Sequence, residues 1–411
     1  MVNKANNVIN RAYKSFVPST VELSVLKKTA EKALKAVVDA ASDLSIDAHA
    51  DFGGSYAKGT SVRGKSDIDI FVSFNSEKET ALLKKLVPKN FIEQRGTRRY
   101  YRGRINSVSV EIVPVVKFSR IEDVSNSIDL SVLHAGYIKQ RLNEKLRKDI
   151  IILKQFCKAS GCYGSETFRH GFSGYSLELL IIHYGGILPL FSSVSSWKPN
   201  VFIDPGKHFS DTESAIKTMK INAAPIILVD PTNQKRNVCG SLNIENLARF
   251  VLEVKKFLLT PSIKFFEDKD EEKRVRIASK KRGTKLFEYS TNIMGPRDRF
   301  LSMYNKALLK LLDELSNNGI GVYDSTPVYY DRNVKLLIEV ESMPITKTKR
   351  ILGPEVWLST KNFNMFLKEH ADTYTYGSSA AYDKEYRINN FKGFIRAKLK
   401  EYIASEAILK S

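Results

Sequence analysis

Apolar side chains recur at two different spacings in the first third of the chain. Over residues 20–44 they stand three and four positions apart, which predicts an amphipathic helix. Residues 67–74 alternate instead, which predicts a strand that places Asp67 and Asp69 on one face. A second strand, rich in valine, is predicted over residues 107–116. The opening segment therefore combines helix and sheet.

The middle of the chain has the apolar pattern of helices. This pattern covers residues 138–156, 175–184 and 243–259. Residues 267–285 are dense in charge, acidic first and then basic, and we expect a domain boundary just before them. The middle segment is therefore predicted to be a mainly helical domain.

The last part of the chain returns to a mixed pattern. A helix is predicted near residues 297–316, strands near 319–330 and 334–341, and further helix at the end. The predicted fold class is α+β. We predict three domains: a head with a mixed sheet (1–135), a mainly helical middle domain (136–260) and a C-terminal α+β domain (261–411).

The charge balance points to a polyanionic partner. Lysine and arginine outnumber aspartate and glutamate by 65 to 45 among 411 residues, a formal charge of +20. Such an excess attracts nucleic acid at long range. A membrane surface is less favoured, because no apolar signal-peptide block opens the sequence and the longest apolar stretch, 175–191, contains an acid and turn formers. We interpret that stretch as a buried helix and its turn.

Cysteine and histidine usage limits the kinds of metal site. Cys157, Cys162 and Cys239 form no C-x-x-C pair, and the six histidines lack ligand spacing. Neither a disulfide framework nor a zinc site is indicated, which fits a reducing cytoplasm. We expect any metal to be bound by oxygen atoms.

One segment matches the sequence pattern of a P-loop but is followed by a predicted strand rather than a helix. Residues 59–66 read G-T-S-V-R-G-K-S, which satisfies the two-glycine, Lys-Ser pattern. A true P-loop opens a helix, because the free N–H groups at the helix start bind the phosphates. Here the motif runs directly into the strand predicted over residues 67–74. We therefore reject an NTPase of the P-loop type.

A different phosphate-and-metal site is favoured by Gly53, Gly54 and Ser55 together with Asp67 and Asp69. Two carboxylates two positions apart on a strand repel each other unless a cation lies between them. Magnesium suits this role, since it binds carboxylates and substrate phosphates together. The glycines let backbone amides approach a phosphate. An isolated D-x-D is usually a solvated strand face, so the nearby glycine turn is what favours a function.

The pattern G-G-S-x-x-x-G-T followed by S-D-I-D-I resembles the nucleotidyltransferase superfamily of polymerase beta, poly(A) polymerases and CCA-adding enzymes. Blocks at 161–180, 229–250, 261–266 and 336–357 are similar to the archaeal-type, class I CCA tRNA nucleotidyltransferases. The resemblance spans nearly the full chain. It implies a polymerase-beta-like head, a nucleotide- and tRNA-binding middle domain and a tRNA-binding C-terminal domain. The implied activity is template-independent addition of CCA to transfer RNA from CTP and ATP, with release of pyrophosphate.

The resemblance also assigns the catalytic residues. It implies that Ser55 and Lys58 bind the incoming triphosphate, and that Asp67, Asp69 and Glu111 bind Mg²⁺, expected as two ions. The family usually has arginine where this chain has Lys58, and lysine keeps the charge without the bidentate fork. The family order of acids is Glu, Asp, Asp. The order here is Asp, Asp, Glu, which conserves charge but shifts the geometry.

Further nucleotide contacts are implied for His134, Lys154, Tyr163 and Arg236. Arg236 matches the arginine that helps to select cytosine or adenine by the Watson–Crick edge. Taken without the resemblance, His134 would more often be a structural histidine and Lys154 a solvated lysine. Tyr163 fits a core tyrosine equally well, and Arg236 fits a phosphate contact nearly as well.

The expected partner is the acceptor stem and 3′ end of transfer RNA, with no membrane contact, and the family is often dimeric. Candidate RNA-contacting residues are basic, although a charge run is often a solvated face. They are Arg98, Arg99, Arg102, Lys280, Lys281, Arg282, Lys347, Lys349 and Arg350.

Two alternatives stay open at this point. One is a terminal transferase of the poly(A) polymerase or oligoadenylate synthetase type, which would use ATP alone. The other is an RNA-binding relative that has lost catalysis, which the substituted acids and Lys58 make conceivable.

Overall fold

The computed structural model describes residues 2–96, 98–124, 126–221, 224–342, 348–358, 361–385 and 391–408. The chain divides into two compact units, Met1–Asp268 and Lys269–Ser411. Helices and sheets occur in both, so the predicted α+β class is confirmed. The division of the chain into three domains stays a prediction.

The first unit contains helices α1 to α10 and strands β1 to β8. The helices are α1 (Val2–Phe16), α2 (Thr20–Asp43), α3 (Gly54–Lys58), α4 (Leu83–Leu86), α5 (Ser131–Arg141), α6 (Glu144–Ala159), α7 (Gly174–Tyr184), α8 (Ile187–Val194), α9 (Thr212–Met219) and α10 (Ile244–Leu259). The strands are β1 (His49–Phe52), β2 (Ile68–Phe74), β3 (Ile92–Arg95), β4 (Arg99–Ile105), β5 (Val108–Val116), β6 (Val201–Ile203), β7 (Ile226–Asp230) and β8 (Asn233–Asn237).

A five-stranded mixed sheet forms the framework of the N-terminal part. Its order is β1-β2-β5-β4-β3, with β2 and β5 parallel and the other neighbours antiparallel. Alternate side chains of β2, among them Ile68 and Ile70, form a core with Leu26 and Val37 of α2. The opposite face of β2 and β5 is therefore the one available for a site.

The helix predicted over residues 20–44 and the strand predicted over 67–74 are confirmed as α2 and β2. The Ser19 side chain accepts a hydrogen bond from the Glu22 amide and caps the start of α2. The P-loop lookalike leads into β2 and opens no helix. Rejecting a P-loop was therefore correct.

A second core lies among α1, α6, α7, α8 and α10, where Phe156, Phe191, Phe250 and Phe257 are completely buried. The single helix predicted over residues 138–156 is wrong, because the chain forms two helices, α5 and α6. The Asn143 side chain accepts from the Leu146 amide at 2.9 Å and starts α6 anew. The apolar periodicity continues across the break between α5 and α6. In the sequence, the capping residue Asn143 is the signal of this break.

The second unit contains helices α11 (Glu271–Arg282), α12 (Arg297–Asn317), α13 (Lys361–Glu369) and α14 (Phe391–Ile408). Its strands are β9 (Lys285–Asn292), β10 (Gly321–Tyr329), β11 (Asn333–Ser342), β12 (Thr348–Glu355), β13 (Tyr374–Tyr376) and β14 (Ser379–Glu385). They form two antiparallel sheets, β10-β11-β9 and β12-β14-β13. The charged stretch after residue 267 forms α11, whose acidic start and basic end suit the helix dipole.

Among the described helices, none is by itself long and apolar enough to cross a membrane. The pair α7 and α8, bent by 95° at the break between them, meets the length and composition criteria together.

One predicted RNA contact, Arg98, is wrong. The Arg98 side chain is only 5% exposed, and its Nη1 lies 2.5 Å from Asp129 Oδ1, while Nε donates to Glu77 at 3.0 Å. The guanidinium also donates to the Pro114 carbonyl, so it serves the fold. Of the other candidates, Lys347 lies outside the described residues, as does the side chain of Lys349.

We expect Arg98→Leu to lower the free energy of unfolding by about 3 kcal/mol, because Asp129 would be left buried without its cation. RNA affinity should not change. Thermal melting and an RNA-binding titration measure the two effects. Arg99→Leu is the matched control, since Arg99 is mostly exposed and its contact with Glu93 is long. An RNA-binding defect in a folded Arg98 variant would contradict this assignment.

Candidate functional site

Parallel pairing brings two of the predicted acids together. Asp69 of β2 is the direct partner of Glu111 of β5. Paired residues on neighbouring strands point to the same side, and this side is opposite to the core that contains Ile68 and Ile70. Asp67 stands two positions before Asp69 and is exposed. The three predicted acids therefore come from adjoining segments on the face of the sheet opposite that core.

The carboxylate of Asp69 is electrostatically strained. Burial, and then the neighbouring Asp67 carboxylate, raise the pKa of Asp69 to about 6. Lys58, Lys154 and Arg102 act in the opposite direction without cancelling this rise. A bound cation would relieve the strain, and carboxylate oxygens are the donors that Mg²⁺ prefers.

Glu111 has a different neighbour. The Arg102 Nε atom of β4 lies 3.4 Å from Glu111 Oε1, and the two residues are direct partners in the sheet. Among the described residues, no three His, Cys, Asp or Glu side chains are gathered closely enough to hold a metal ion. Asp67 and Asp69 suit a metal by their chemistry. The Glu111 carboxylate pairs with Arg102 in this structure.

The glycine turn lies directly over Asp69. The Gly53 amide donates to the Asp69 carbonyl at 2.8 Å, and Gly54 has φ +58°. A Cβ atom at Gly54 would lie 1.6 Å from Asp69 Oδ2, so only glycine fits there. Ser55 follows in the first turn of α3, with its hydroxyl 3.2 Å from that of Ser61. The turn therefore brings backbone and a hydroxyl close to the acids.

The two predicted phosphate-binding lysines meet on one buried acid, Glu178 of α7. Lys58 Nζ lies 2.5 Å from Glu178 Oε2, and Lys154 Nζ lies 2.7 Å from Oε1. Thr60 Oγ1 donates to the same Oε1 and accepts from Lys154. Although burial opposes it, the two ammonium groups hold the pKa of Glu178 below its usual value. Glu178 therefore fixes both cations close to Asp69.

Tyr163 lies close to Lys154, one of the two lysines that pair with Glu178. A Cβ atom at Gly174, the first residue of α7, would lie 3.2 Å from Tyr163 Oη and 3.6 Å from Lys154 Cε. Burial, and then the nearby Glu178, raise the pKa of the Tyr163 hydroxyl, which stays protonated. On its ring face lies Lys158 Nζ, 4.9 Å from the centroid. Tyr163 is thus a neutral hydrogen-bonding group beside the lysines.

His134 and Arg236 meet on a second buried acid, Asp230, at the end of β7. His134 Nε2 and Arg236 Nη1 lie 3.0 and 2.8 Å from Asp230 Oδ2. Tyr175 donates to Oδ1 at 3.1 Å and stacks on the His134 ring. Burial lowers the pKa of His134, and although the bond to Asp230 opposes this, the charge of Arg236 adds to the decrease.

Sequence reasoning missed Glu178 and Asp230. Both lie inside sequence blocks that carry the family resemblance, at 161–180 and 229–250. Each is a lone acid at the centre or end of an apolar run, which signals a buried partner of opposite charge. Two of those partners are distant in sequence, since Lys58 lies 120 positions from Glu178 and His134 lies 96 positions from Asp230, and no local pattern contains such contacts.

Two family models match the chain. One, described as a nucleotidyltransferase domain, matches residues 32–151, which include the glycine turn and the three acids. The other, described as the second domain of tRNA nucleotidyltransferase, matches residues 148–267, which include Glu178 and Asp230.

Proteins named CCA-adding enzymes are similar over most of the chain. That of Nanoarchaeum equitans is 32% identical over 329 residues, 77% of this chain and 79% of the relative. That of Methanothermobacter thermautotrophicus is 27% identical over 409 residues, 93% of this chain and 86% of the relative.

Among solved structures, a cytoplasmic RNA terminal U-transferase is similar in fold. Its TM-score is 0.50 at 15% identity, with 65% of this chain and 99% of that chain covered.

We expect Glu178→Gln to lower the free energy of unfolding by about 3 kcal/mol, because two buried ammonium groups would lose their shared carboxylate. Thermal melting of the two proteins measures this loss. Glu166→Gln is the control, since the Glu166 contact with Arg169 is long and exposed and contributes little. Equal losses in both variants would show that the Glu178 cluster does not stabilise the fold as described.

Proposed function

We propose that this chain, which belongs to the family of CCA-adding enzymes, adds C, C and A to the 3′ end of transfer RNA from CTP and ATP without a nucleic-acid template. Each addition releases pyrophosphate. The observation that carries the proposal is the placement of Lys58 and Lys154 beside Asp69, because nucleotidyl transfer needs cations for the triphosphate next to carboxylates for a metal.

The triphosphate would bind between the glycine turn and the two lysines. Backbone amides near Gly54 and the Ser55 hydroxyl donate to phosphate oxygens, and the ammonium groups of Lys58 and Lys154 balance their charge. An arriving phosphate competes with Glu178 for both lysines. Because Glu178 holds them already oriented, little side-chain entropy is lost on binding.

Asp67, Asp69 and Glu111 are the residues that would hold Mg²⁺. When bound, the metal supplies charge neutralisation at the α-phosphate and lowers the pKa of the attacking 3′ hydroxyl. The Asp69 carboxylate fits this role because burial beside Asp67 leaves its charge unbalanced. Arg102 would release Glu111 and remain available for the phosphate backbone.

The base would lie towards His134 and Arg236, about one turn of α7 away from the phosphates. Arg236 is one-third exposed and can donate to a Watson–Crick edge. Tyr163 offers its hydroxyl near the lysines, where the ribose or a phosphate would pass. The acceptor stem would dock on basic surface, recognised by A-form shape and phosphate charge. A cytoplasmic site of action and a homodimer are the corresponding expectations.

Loss of either aspartate should abolish catalysis. We expect Asp67→Asn and Asp69→Asn each to lower CMP addition to tRNA lacking its CCA end by roughly a hundredfold or more. Incorporation of labelled CTP under single-turnover conditions measures the loss. Asp51→Asn is the control, as the Asp51 side chain is exposed and contacts the exposed His49. Near-normal turnover in either aspartate variant would refute the metal site.

Glu111 is expected to bind metal rather than to maintain the fold. Mg²⁺ should raise the melting temperature of the wild type, and Glu111→Gln should reduce that increase while leaving melting in EDTA and tRNA affinity nearly unchanged. Gln retains the size of the side chain and removes its charge, and the hydrogen bond from Arg102 Nε to Ser109 does not involve residue 111. A lower melting temperature in EDTA with a normal Mg²⁺ response would instead indicate a structural role.

Nucleotide preference separates the proposal from a terminal transferase that uses ATP alone. We expect tRNA lacking all three nucleotides to accept CMP from CTP, and tRNA ending in CC to accept AMP. Each labelled nucleotide is supplied separately, with magnesium. Addition of AMP without prior CMP would favour a poly(A) polymerase-like enzyme. Absence of any addition, with intact tRNA binding, would favour an inactive relative.

A further inference from the structure

The Asp230 carboxylate accepts five hydrogen bonds from within the first unit. Besides His134, Arg236 and Tyr175, the Thr232 amide and hydroxyl both donate to Oδ1, at 2.9 and 2.8 Å. A carboxylate has about four lone-pair sites, so these five donors use them all. The hydrogen-bonding capacity of the Asp230 carboxylate is therefore used completely within the protein. It holds side chains from α5, α7 and the β7–β8 hairpin in one arrangement.

Access differs sharply within this cluster. The Asp230 side chain is completely buried, whereas the Arg236 side chain is 33% exposed. Asp230 uses Nη1 of a guanidinium that has five N–H donors. Within the described residues, no other partner of that guanidinium is found, so its remaining donors are available to a ligand. Arg236 is thus the group through which the cluster can contact a base.

The direction of those donors matters for selectivity. Cytosine and adenine present a ring nitrogen acceptor beside an exocyclic amine, whereas uracil and guanine present a ring N–H beside a carbonyl oxygen. A guanidinium only donates. Aimed at the ring nitrogen it favours C and A, but shifted by one ring position it would meet the carbonyl of U or G equally well. Charge alone therefore cannot select, and the position of Arg236 must be fixed.

We propose that Asp230 is the positioning residue that sets nucleotide selectivity, by fixing the guanidinium of Arg236 where it can donate to the ring nitrogen of cytosine or adenine. It acts through Arg236 and touches no substrate. The inference rests on the proposed function.

His134 and Tyr175 restrain Asp230 from the other side. Their rings stack with centroids 4.1 Å apart, and each donates to a different oxygen of the carboxylate. Rotation of the carboxylate would break bonds to both rings at once. The anchor of Arg236 is therefore stiff, which is what selection between atoms one bond apart requires.

The test is Asp230→Asn, assayed on tRNA lacking its CCA end with CTP, ATP, UTP and GTP supplied singly. Asn keeps the shape but replaces one acceptor by a donor that repels the Arg236 Nη1 group. We expect the ratio of kcat/KM for CTP over UTP to fall by roughly tenfold, through the KM values, as expected for a lost hydrogen-bond match. Asp149→Asn is the control: Asp149 is a buried carboxylate that accepts from the Ile187 amide, away from the cluster.

An unchanged ratio in Asp230→Asn that melts like the wild type would overturn the proposal. Asp230→Glu serves where the Asn variant does not fold, because it keeps the charge and displaces the carboxylate by one methylene. Selectivity of wild-type quality in that variant would overturn the proposal equally. Wild-type protein that adds no CMP at all would instead refute the proposed function, so the two failures are distinguishable.

Discussion

The parallel pairing of β2 with β5 is the constraint on which the candidate site depends. It places Asp69 beside Glu111 and directs the alternate residues, including Ile68 and Ile70, into the core under α2. A register slip of one residue would turn the acids into that core, where an unpaired carboxylate is costly. The same pairing makes the position of Asp69 partly buried and close to Asp67, so its charge remains unbalanced. The register of β2 against β5 is therefore the reason why the Asp69 carboxylate would be stabilised by a cation.

Two buried acids determine where the protein's own cations lie. Lys58 and Lys154 both act to lower the pKa of Asp69, but neither ammonium group has Asp69 as its nearest acid. Glu178 accepts both ammonium groups instead, at 2.5 and 2.7 Å. Asp230 does the same for Arg236. Buried acids other than Asp69 therefore hold these three cations in fixed positions.

Local patterns were sufficient for the parts of the site that are contiguous in sequence. The glycine turn and the alternation of Asp67 and Asp69 could be read directly, because each needs only a few neighbouring residues. The partners of the lysines could not, since Glu178 lies 120 positions from Lys58. For Arg98 the local pattern was misleading. A basic residue in a charged segment was predicted to contact RNA at the surface, but its side chain is buried and pairs with Asp129 and Glu77.

Helix α7 joins the two halves of the site. Tyr175 donates to Asp230, which also binds Arg236, and Glu178, three positions later, pairs with the two lysines. Residues three positions apart lie on the same face of a helix, about one turn, or roughly 5 Å, from each other. The start of the helix is capped by Ser173, and Leu177 and Leu179 are buried in the core. Under the proposed function, one turn of a rigid helix therefore sets the distance between the base and the triphosphate, and we expect the size difference between cytosine and adenine to be accommodated beyond Arg236.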